Sequence, residues 1–188
     1  MNYNNGTTGE PLTKLEVEKL LNEIEDEIDR LMVLLAVGGG IRATELSSIS
    51  SKNINYQEQS INIFREDWAT STRKVYYSKP VMNYLYKFEH EYFPKKYYNP
   101  ENDKFIPYTK VHIERRLSAA TLKILNKDRT WQSLRRTYII LNGQVDAPFE
   151  LVVNNVKESV ESVYSLYSKR NQNLKDAVNK VNLFNFKP

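Results

Sequence analysis

The chain has 188 residues, of which 40% are hydrophobic, and this composition predicts one globular domain with a core and short tails. It has no cysteine and only two widely separated histidines, which excludes disulfides and thiolate metal sites and argues against a metal cluster. The longest apolar run, residues 31–37, is too short to span a membrane, and no signal peptide opens the chain, so we expect a soluble cytoplasmic protein.

Charge is distributed unevenly along the chain. The formal net charge is +4, but residues 1–30 carry three basic against eight acidic side chains, which leaves the remaining residues with a net charge of +9. A basic body of this kind favours a polyanionic partner, most often nucleic acid. Charge alone leaves open the alternative that the domain binds nothing specific.

The first third of the chain is predicted to be helical after a disordered lead over residues 1–11. Apolar residues at helical spacing from Leu15 to Leu34 predict one long amphipathic helix or two in succession. Thr13 is a candidate N-cap, and Glu16 three residues later completes the pattern of a capping box. Three glycines at 38–40 are expected to end this helix, and a short helix should follow over residues 42–49.

The middle and end of the chain predict a β-hairpin followed by helices. The strands are expected around residues 60–64 and 73–78, joined by the polar segment 65–72. Helical patterns follow at about residues 79–93, 110–126, 131–141, 149–167 and 174–181. The predicted fold class is therefore mainly α with a small antiparallel β-sheet (α+β).

Two arginines and two tyrosines on this framework are candidates for function. Arg135 borders the apolar face of its predicted helix, so its side chain should point inward, although an ion pair would also explain it. The same simple interpretation pairs Arg42 with Glu45 one turn later. In a continuous helix over residues 149–167, Tyr167 falls near the centre of a valine stripe and Tyr164 on its edge, where a tyrosine packs its ring and still presents its hydroxyl to a cleft.

With these elements in order, the chain resembles the catalytic domain of the tyrosine recombinases, the phage integrase family. The stretch "GGGIRATELSSISSKNI" is similar to the family's first box and puts Arg42 on the first catalytic arginine. The stretch "QSLRRTY" is similar to the second box and puts Arg135 on the second arginine and Gln132 on the histidine. By spacing, Asn155 takes the place of the third histidine or tryptophan, and Tyr164 that of the nucleophile.

The resemblance implies cleavage of double-stranded DNA through a covalent 3'-phosphotyrosine, with no metal, ATP or other cofactor. The two guanidiniums would hold the phosphate oxygens in the transition state. The family's general acid is a lysine on the hairpin, but here Ser71 matches that position, with Lys74 the nearest substitute and Arg65 the next. The residues at the two histidine positions donate hydrogen bonds but cannot shuttle protons.

The function implied by the resemblance is site-specific recombination, as performed by integrases of archaeal, viral or plasmid elements. Two alternatives stay open, a degenerate DNA-binding relative that does not cut and a type IB topoisomerase, which uses the same arginine and tyrosine chemistry. The resemblance assigns residues 12–170 to the catalytic domain and residues 171–188 to a C-terminal helix and tail. That tail either exchanges between protomers or folds back on its own core, and Tyr167 remains an alternative nucleophile.

Overall fold

A computed structural model describes residues 9–64, 73–92 and 104–168. Helices in these residues are α1 Lys14–Glu23, α2 Glu27–Gly39, α3 Ala43–Leu46, α4 Lys79–Lys87, α5 Lys110–Leu125, α6 Trp131–Gln144, α7 Phe149–Val156 and α8 Val160–Tyr167. Strands β1 Ile54–Asn55, β2 Ser60–Ile63 and β3 Arg73–Tyr76 form one antiparallel sheet in the order β1-β2-β3. A 3₁₀ turn, Ser51–Asn53, precedes the sheet, and a π-helical turn, Phe88–Tyr92, follows α4. The predicted class, mainly α with a small antiparallel sheet, is confirmed.

The predicted capping box at the start of α1 is present. The Glu16 backbone N–H donates to Thr13 Oγ1 at 3.2 Å, and the Thr13 N–H donates to Glu16 Oε2 at 2.8 Å. Two helix-terminal donors are thereby satisfied by side chains of the same turn. The start of α1 is thus determined by local sequence.

The apolar stretch that follows forms two helices because a second cap interrupts it. Ile24 adopts an extended conformation after α1, and the Asp26 carboxylate accepts hydrogen bonds from the N–H groups of Ile28 at 2.9 Å and Asp29 at 3.3 Å. An aspartate at this position satisfies the free donors of a new helix. The interruption lets α1 and α2 pack separately against α5, which lies next to both.

The core is centred on α2, which packs closely against α6. Its fully buried apolar side chains include Ile28, Leu31, Met32, Leu35 and Ala36. A smaller apolar cluster joins α6 to the last two helices through Tyr138, Ile139, Val152, Val156 and Val163. Helix α6 therefore lies between the main core and the C-terminal helices, and its position is fixed from both sides.

The predicted hairpin is present, with Ile61 opposite Val75 and Ile63 opposite Arg73. Side chains alternate between the two faces of a strand. In β3 this alternation buries Arg73 and Val75 and exposes Lys74. The connecting residues 65–72, which include Ser71 and Arg65, lie outside the described residues, as do the predicted helix 174–181 and the tail.

The prediction of one helix over residues 149–167 is wrong. Lys157 adopts a left-handed conformation with φ 50°, and its N–H donates to Val153 O at 2.9 Å, which ends α7. Ser159 then caps α8 by accepting a hydrogen bond from the Ser162 N–H at 3.2 Å. The projection of the two tyrosines onto one continuous valine stripe therefore fails. Tyr167 is only partly buried.

No described helix is long and apolar enough to cross a membrane.

We predict that Gly40→Ala lowers the free energy of unfolding by about 3 kcal/mol. Gly40 has φ 64°, and an added Cβ would lie 2.7 Å from both Tyr138 Cδ1 and Val156 Cγ1. Urea unfolding followed by circular dichroism measures the effect. The matched control is Gly38→Ala in the same helix end, where the nearest atoms lie at 3.4 Å and the change should stay within about 1 kcal/mol. Equal effects of the two substitutions would contradict this account.

Candidate functional site

The loop after α2 is fixed to the start of α6 by main-chain carbonyls. Gly40 turns the chain through a left-handed conformation while its N–H donates to Ala36 O at 2.9 Å. Its own carbonyl then accepts a hydrogen bond from the Arg135 Nη1. The next carbonyl, that of Ile41, accepts from the indole Nε1 of Trp131 at 2.7 Å. The glycine therefore directs two consecutive acceptors at the helix that carries Arg135.

Arg135 is almost completely buried, with 2% of its surface exposed. Besides its bond to Gly40, its Nη2 donates to Val156 O at 2.9 Å and to Glu158 Oε1 at 2.6 Å, and its Nε donates to the same oxygen at 3.2 Å. Gly40 and Val156 lie at the C-terminal ends of α2 and α7, where carbonyls lack helical partners and the helix dipole is negative. Two helix ends and one carboxylate thus compensate the burial of one positive charge.

The protonation equilibrium of Arg135 reflects these neighbours. Burial lowers the pKa of the Arg135 guanidinium, and the hydrogen bond to Glu158 raises it. The nearby positive charge of Arg42 lowers the same pKa further. An arginine retains its charge through shifts of this kind. The structure thus contains the ion pair that was considered for Arg135, and its partner is Glu158.

Arg42 immediately precedes α3 and is half-buried. Its Nη2 donates to the carbonyl oxygen of Lys157 at 3.0 Å. The simple pairing of Arg42 with Glu45 is not what the structure contains. The Glu45 carboxylate instead accepts from the Arg42 backbone N–H at 2.7 Å and forms a buried ion pair with Arg73, whose Nε lies 3.1 Å from Glu45 Oε1. Glu45 thus joins α3 to β3 and leaves the Arg42 guanidinium directed to the end of α7.

The two guanidiniums meet at one cleft because they bind consecutive carbonyls, those of Val156 and Lys157. The cleft has a volume of about 270 Å³. Polar side chains that line it include Arg42, Lys110, Glu114, Gln132, Arg135 and Glu158. Arginines from distant parts of the sequence therefore line a single cleft, as an anion site requires.

Gln132 belongs to this cleft, and Asn155 does not line it. Gln132 lies one turn before Arg135 on α6, and its Nε2 donates to Glu158 Oε1 at 3.5 Å. Asn155 has 1% of its surface exposed, and its Nδ2 donates to the Tyr138 hydroxyl at 2.8 Å and to Tyr76 O at 3.3 Å. Its amide therefore joins the end of α7 to α6 and β3, immediately before the two carbonyls that bind the arginines.

The other two predicted site residues lie on exposed surfaces outside the cleft lining. Lys74 is on the outer face of β3, where its Nζ lies 2.6 Å from Glu58 Oε2, and the hydrogen bond to Glu58 raises its pKa. Tyr164 is 59% exposed, with its ring edge-on to Phe149 at 5.9 Å between centroids. Tyr167, by contrast, donates its hydroxyl hydrogen to Ala147 O at 2.5 Å. Of the two tyrosines, Tyr164 thus has the more accessible side chain.

Two features of the site were missed from the sequence. The role of Glu158 was only weakly indicated by the sequence. Ser159 and Ser162 form a possible helix cap, which would place Glu158 in a link between two helices. The Arg73 ion pair carried a clearer one, since strand alternation with Val75 places an arginine on the buried face, where it needs a carboxylate. Within the described ranges, no group of three or more side chains is arranged to hold a metal ion.

We predict that the two arginines differ in their effect on stability. Arg135→Ala removes the donors to two helix ends and should cost about 3 kcal/mol, because buried carbonyls lose their partners. Arg42→Ala removes one half-exposed hydrogen bond and should cost about 1 kcal/mol or less. Urea unfolding of both variants measures the difference. A loss for Arg42→Ala as large as that for Arg135→Ala would contradict the anchoring role assigned to Arg135.

Comparison with known proteins assigns the chain to a family. The sequence matches the phage integrase family over residues 10–138, more than half of the chain and a range that includes both arginines. Asn155 and Tyr164 lie beyond the matched range. A search of curated protein sequences finds no match.

Solved structures share the fold. XerA recombinase has a TM-score of 0.78 and 17% identity, with coverage of 90% of this chain and 64% of that one. XerH site-specific recombinase, bound to its palindromic difH substrate in a post-cleavage complex, has a TM-score of 0.73, 16% identity and coverage of 91% and 53%. The Tn1549 transposon integrase, in complex with circular intermediate DNA, has a TM-score of 0.72, 13% identity and coverage of 93% and 68%.

The chain spans between about half and two thirds of the length of these recombinases, and at such identities the similarity concerns the fold alone. The family match is independent of that similarity and covers the boxes that contain Arg42 and Arg135. The resemblance noted in the sequence is confirmed: the chain belongs to the phage integrase family of tyrosine recombinases and has the fold of their catalytic domain.

Proposed function

We propose that this domain cleaves and rejoins DNA strands at specific sites, with Tyr164 as the nucleophile and Arg42 and Arg135 as the phosphate clamp. The observation that carries the proposal is the anchoring of both guanidiniums on consecutive carbonyls at the end of α7, at one open cleft. A phosphodiester between them would receive planar, charged donors from two sides. Arg135 is 2% exposed, and a surface ion pair that only balanced charge would not require this burial.

The proposed reaction exchanges one phosphodiester for another. The Tyr164 oxygen forms a bond to phosphorus as it loses its proton, and the bond from phosphorus to the 5'-oxygen breaks as that oxygen gains a proton. The product is a 3'-phosphotyrosine and a free 5'-hydroxyl. Attack by another 5'-hydroxyl reverses the step and joins strands, so neither a metal nor ATP enters the balance. The guanidiniums neutralise the charge that accumulates on the nonbridging oxygens.

The remaining predicted residues have supporting roles in this proposal. Gln132 donates a hydrogen bond to the phosphate from the cleft wall. Asn155 acts as a positioning residue, because its buried amide holds the end of α7 that binds both arginines. Lys74 is the proposed acid for the leaving 5'-oxygen, and to act it must leave Glu58. That exposed pair is weak, since solvent screens both groups.

Double-stranded DNA is the proposed partner. The XerH and Tn1549 structures were solved with DNA, and the present chain shares their fold. Self-association through the C-terminal tail also remains a proposal, because those residues lie outside the described part of the chain.

A second function, DNA binding without cleavage, is favoured by two specific contacts. Glu158 occupies the donors of Arg135, and Glu58 occupies the amine of Lys74. Both contacts place a carboxylate where the reaction would need a free donor. A domain that only occupies recombination sites would tolerate this arrangement, whereas an active one must exchange both partners when DNA arrives.

Covalent trapping separates the two functions. We expect that nicked duplexes carrying a recombination site, incubated with the protein in EDTA and then denatured, yield a protein-DNA adduct. Tyr164→Phe should abolish the adduct, because it removes the attacking oxygen. Tyr167→Phe is the matched control and should retain it. Lys74→Ala should slow adduct formation by about 100-fold if Lys74 is the acid.

Each other result of the trapping experiment has a definite meaning. Loss of the adduct only in Tyr167→Phe would move the nucleophile to Tyr167. Absence of an adduct with every variant, on DNA that the protein demonstrably binds, would overturn the cleavage proposal in favour of binding without cleavage.

DNA affinity should depend on salt through the proposed clamp. We predict that Arg42→Ala reduces the slope of log affinity against log salt concentration by about one, because one phosphate contact is lost. Lys19→Ala on the exposed face of α1 removes the same charge but no cleft residue and should leave the slope unchanged. Fluorescence anisotropy of a labelled duplex measures both. Equal slopes for the two variants would contradict a phosphate contact at Arg42.

A further inference from the structure

Glu158 lies in the short link between α7 and α8. Lys157 before it is in a left-handed conformation, and Ser159 after it caps α8. These two neighbours end one helix and begin the next, so the Glu158 side chain extends from the link toward Arg135. It is 20% exposed, whereas the arginine side chain that it contacts is 2% exposed. The carboxylate therefore covers a buried cation from the solvent side.

The contact uses one of the two edges of the Arg135 guanidinium that can bind a phosphate. A guanidinium grips two oxygens with parallel N–H groups on one edge. In this structure Nε and one N–H of Nη2 both point to Glu158 Oε1, while Nη1 and the other N–H of Nη2 are directed to Gly40 O and Val156 O. The helix ends thus hold one part of the guanidinium, and Glu158 occupies the edge that remains for a ligand.

The charge of Glu158 and the donors around it also indicate that its carboxylate occupies an anion position. A carboxylate and a phosphodiester each carry one negative charge spread over two oxygens. The oxygen of Glu158 that contacts Arg135 also accepts from Gln132 Nε2 at 3.5 Å. Arg42 lines the same cleft and acts electrostatically on Arg135. Glu158 therefore occupies the place where the two arginine boxes would bind an anion.

We propose that Glu158 is an internal competitor for DNA phosphate: it occupies the arginine edge in the DNA-free domain, and a phosphodiester must displace it. This inference rests on the proposed function. It implies that an isolated phosphate binds poorly, and that a phosphate held by other contacts of a duplex binds well. Arg135 would then bind the phosphate of a correctly docked strand and stay paired with Glu158 otherwise.

Displacement is compatible with the rest of the structure. The hydrogen bonds of Arg135 to the two helix ends do not involve Glu158, so the guanidinium stays in position when the carboxylate leaves. The caps on either side of Glu158 use the Lys157 backbone and the Ser159 side chain. A rotation of the Glu158 side chain into solvent thus breaks no helix-capping hydrogen bond.

The test compares Glu158→Gln with Glu161→Gln. Glu161 is exposed on the first turn of α8, so both substitutions remove one negative charge from the same segment. We expect Glu158→Gln to raise the affinity for a labelled duplex about tenfold over wild type, and Glu161→Gln by no more than about twofold. Inorganic phosphate, titrated while the arginine Nε–H signals are followed by NMR, should show the same order. Glu158→Ala is a second variant that also removes the hydrogen-bond acceptor.

The sign of the effect decides the proposal. Affinity for the duplex that is unchanged or lower in both Glu158 variants, with wild type binding normally, would overturn it and make Glu158 a support for Arg135. In that case the proposed function would stand. Failure of wild type and all variants to bind either probe would overturn the competitor and the phosphate clamp together.

Discussion

Burial of the Arg135 guanidinium is the constraint on which the site depends. A charge with 2% exposure needs several oriented acceptors, and this chain supplies them from the ends of two helices that are distant in sequence. Helix α2 must therefore stop at a residue whose carbonyl can turn toward α6, which the left-handed Gly40 permits. Helix α7 must end beside the same guanidinium, and the Asn155 amide holds it there.

Much of the fold was predictable because its signals are local. The capping box of Thr13 and Glu16, the glycine end of α2 and the alternation of β3 each depend on a few neighbouring residues. The inward direction of Arg135 also followed from helical spacing, since one apolar face determines which side of α6 is buried. Family boxes then related Arg135 to Arg42, a pairing that no periodicity could have given.

The rest depends on contacts between distant parts of the chain. The break after α7 occurs at Lys157, a residue with no intrinsic preference for a left-handed conformation, and valines at helical spacing lie on both sides of it. Apolar spacing alone therefore predicts one helix, although Ser159 offers a possible cap for a second. The partners of Glu158 and Asn155 lie on α6 and β3, so neither the occupied arginine edge nor the buried amide could be deduced from spacing.

The choice of main-chain carbonyls as anchors has a chemical consequence. Carbonyl dipoles hold a guanidinium in place without a full negative charge, so they repel an incoming phosphate much less than a carboxylate would. Glu45, which would otherwise compete near Arg42, is already neutralised by Arg73 in the interior. Among the described residues, Glu158 is the carboxylate that contacts Arg135, and it lies in the link between α7 and the helix that carries Tyr164. Displacement of Glu158 would therefore free the proposed phosphate-binding edge of Arg135 while the caps on either side of the link, and with them the start of α8, stay in place.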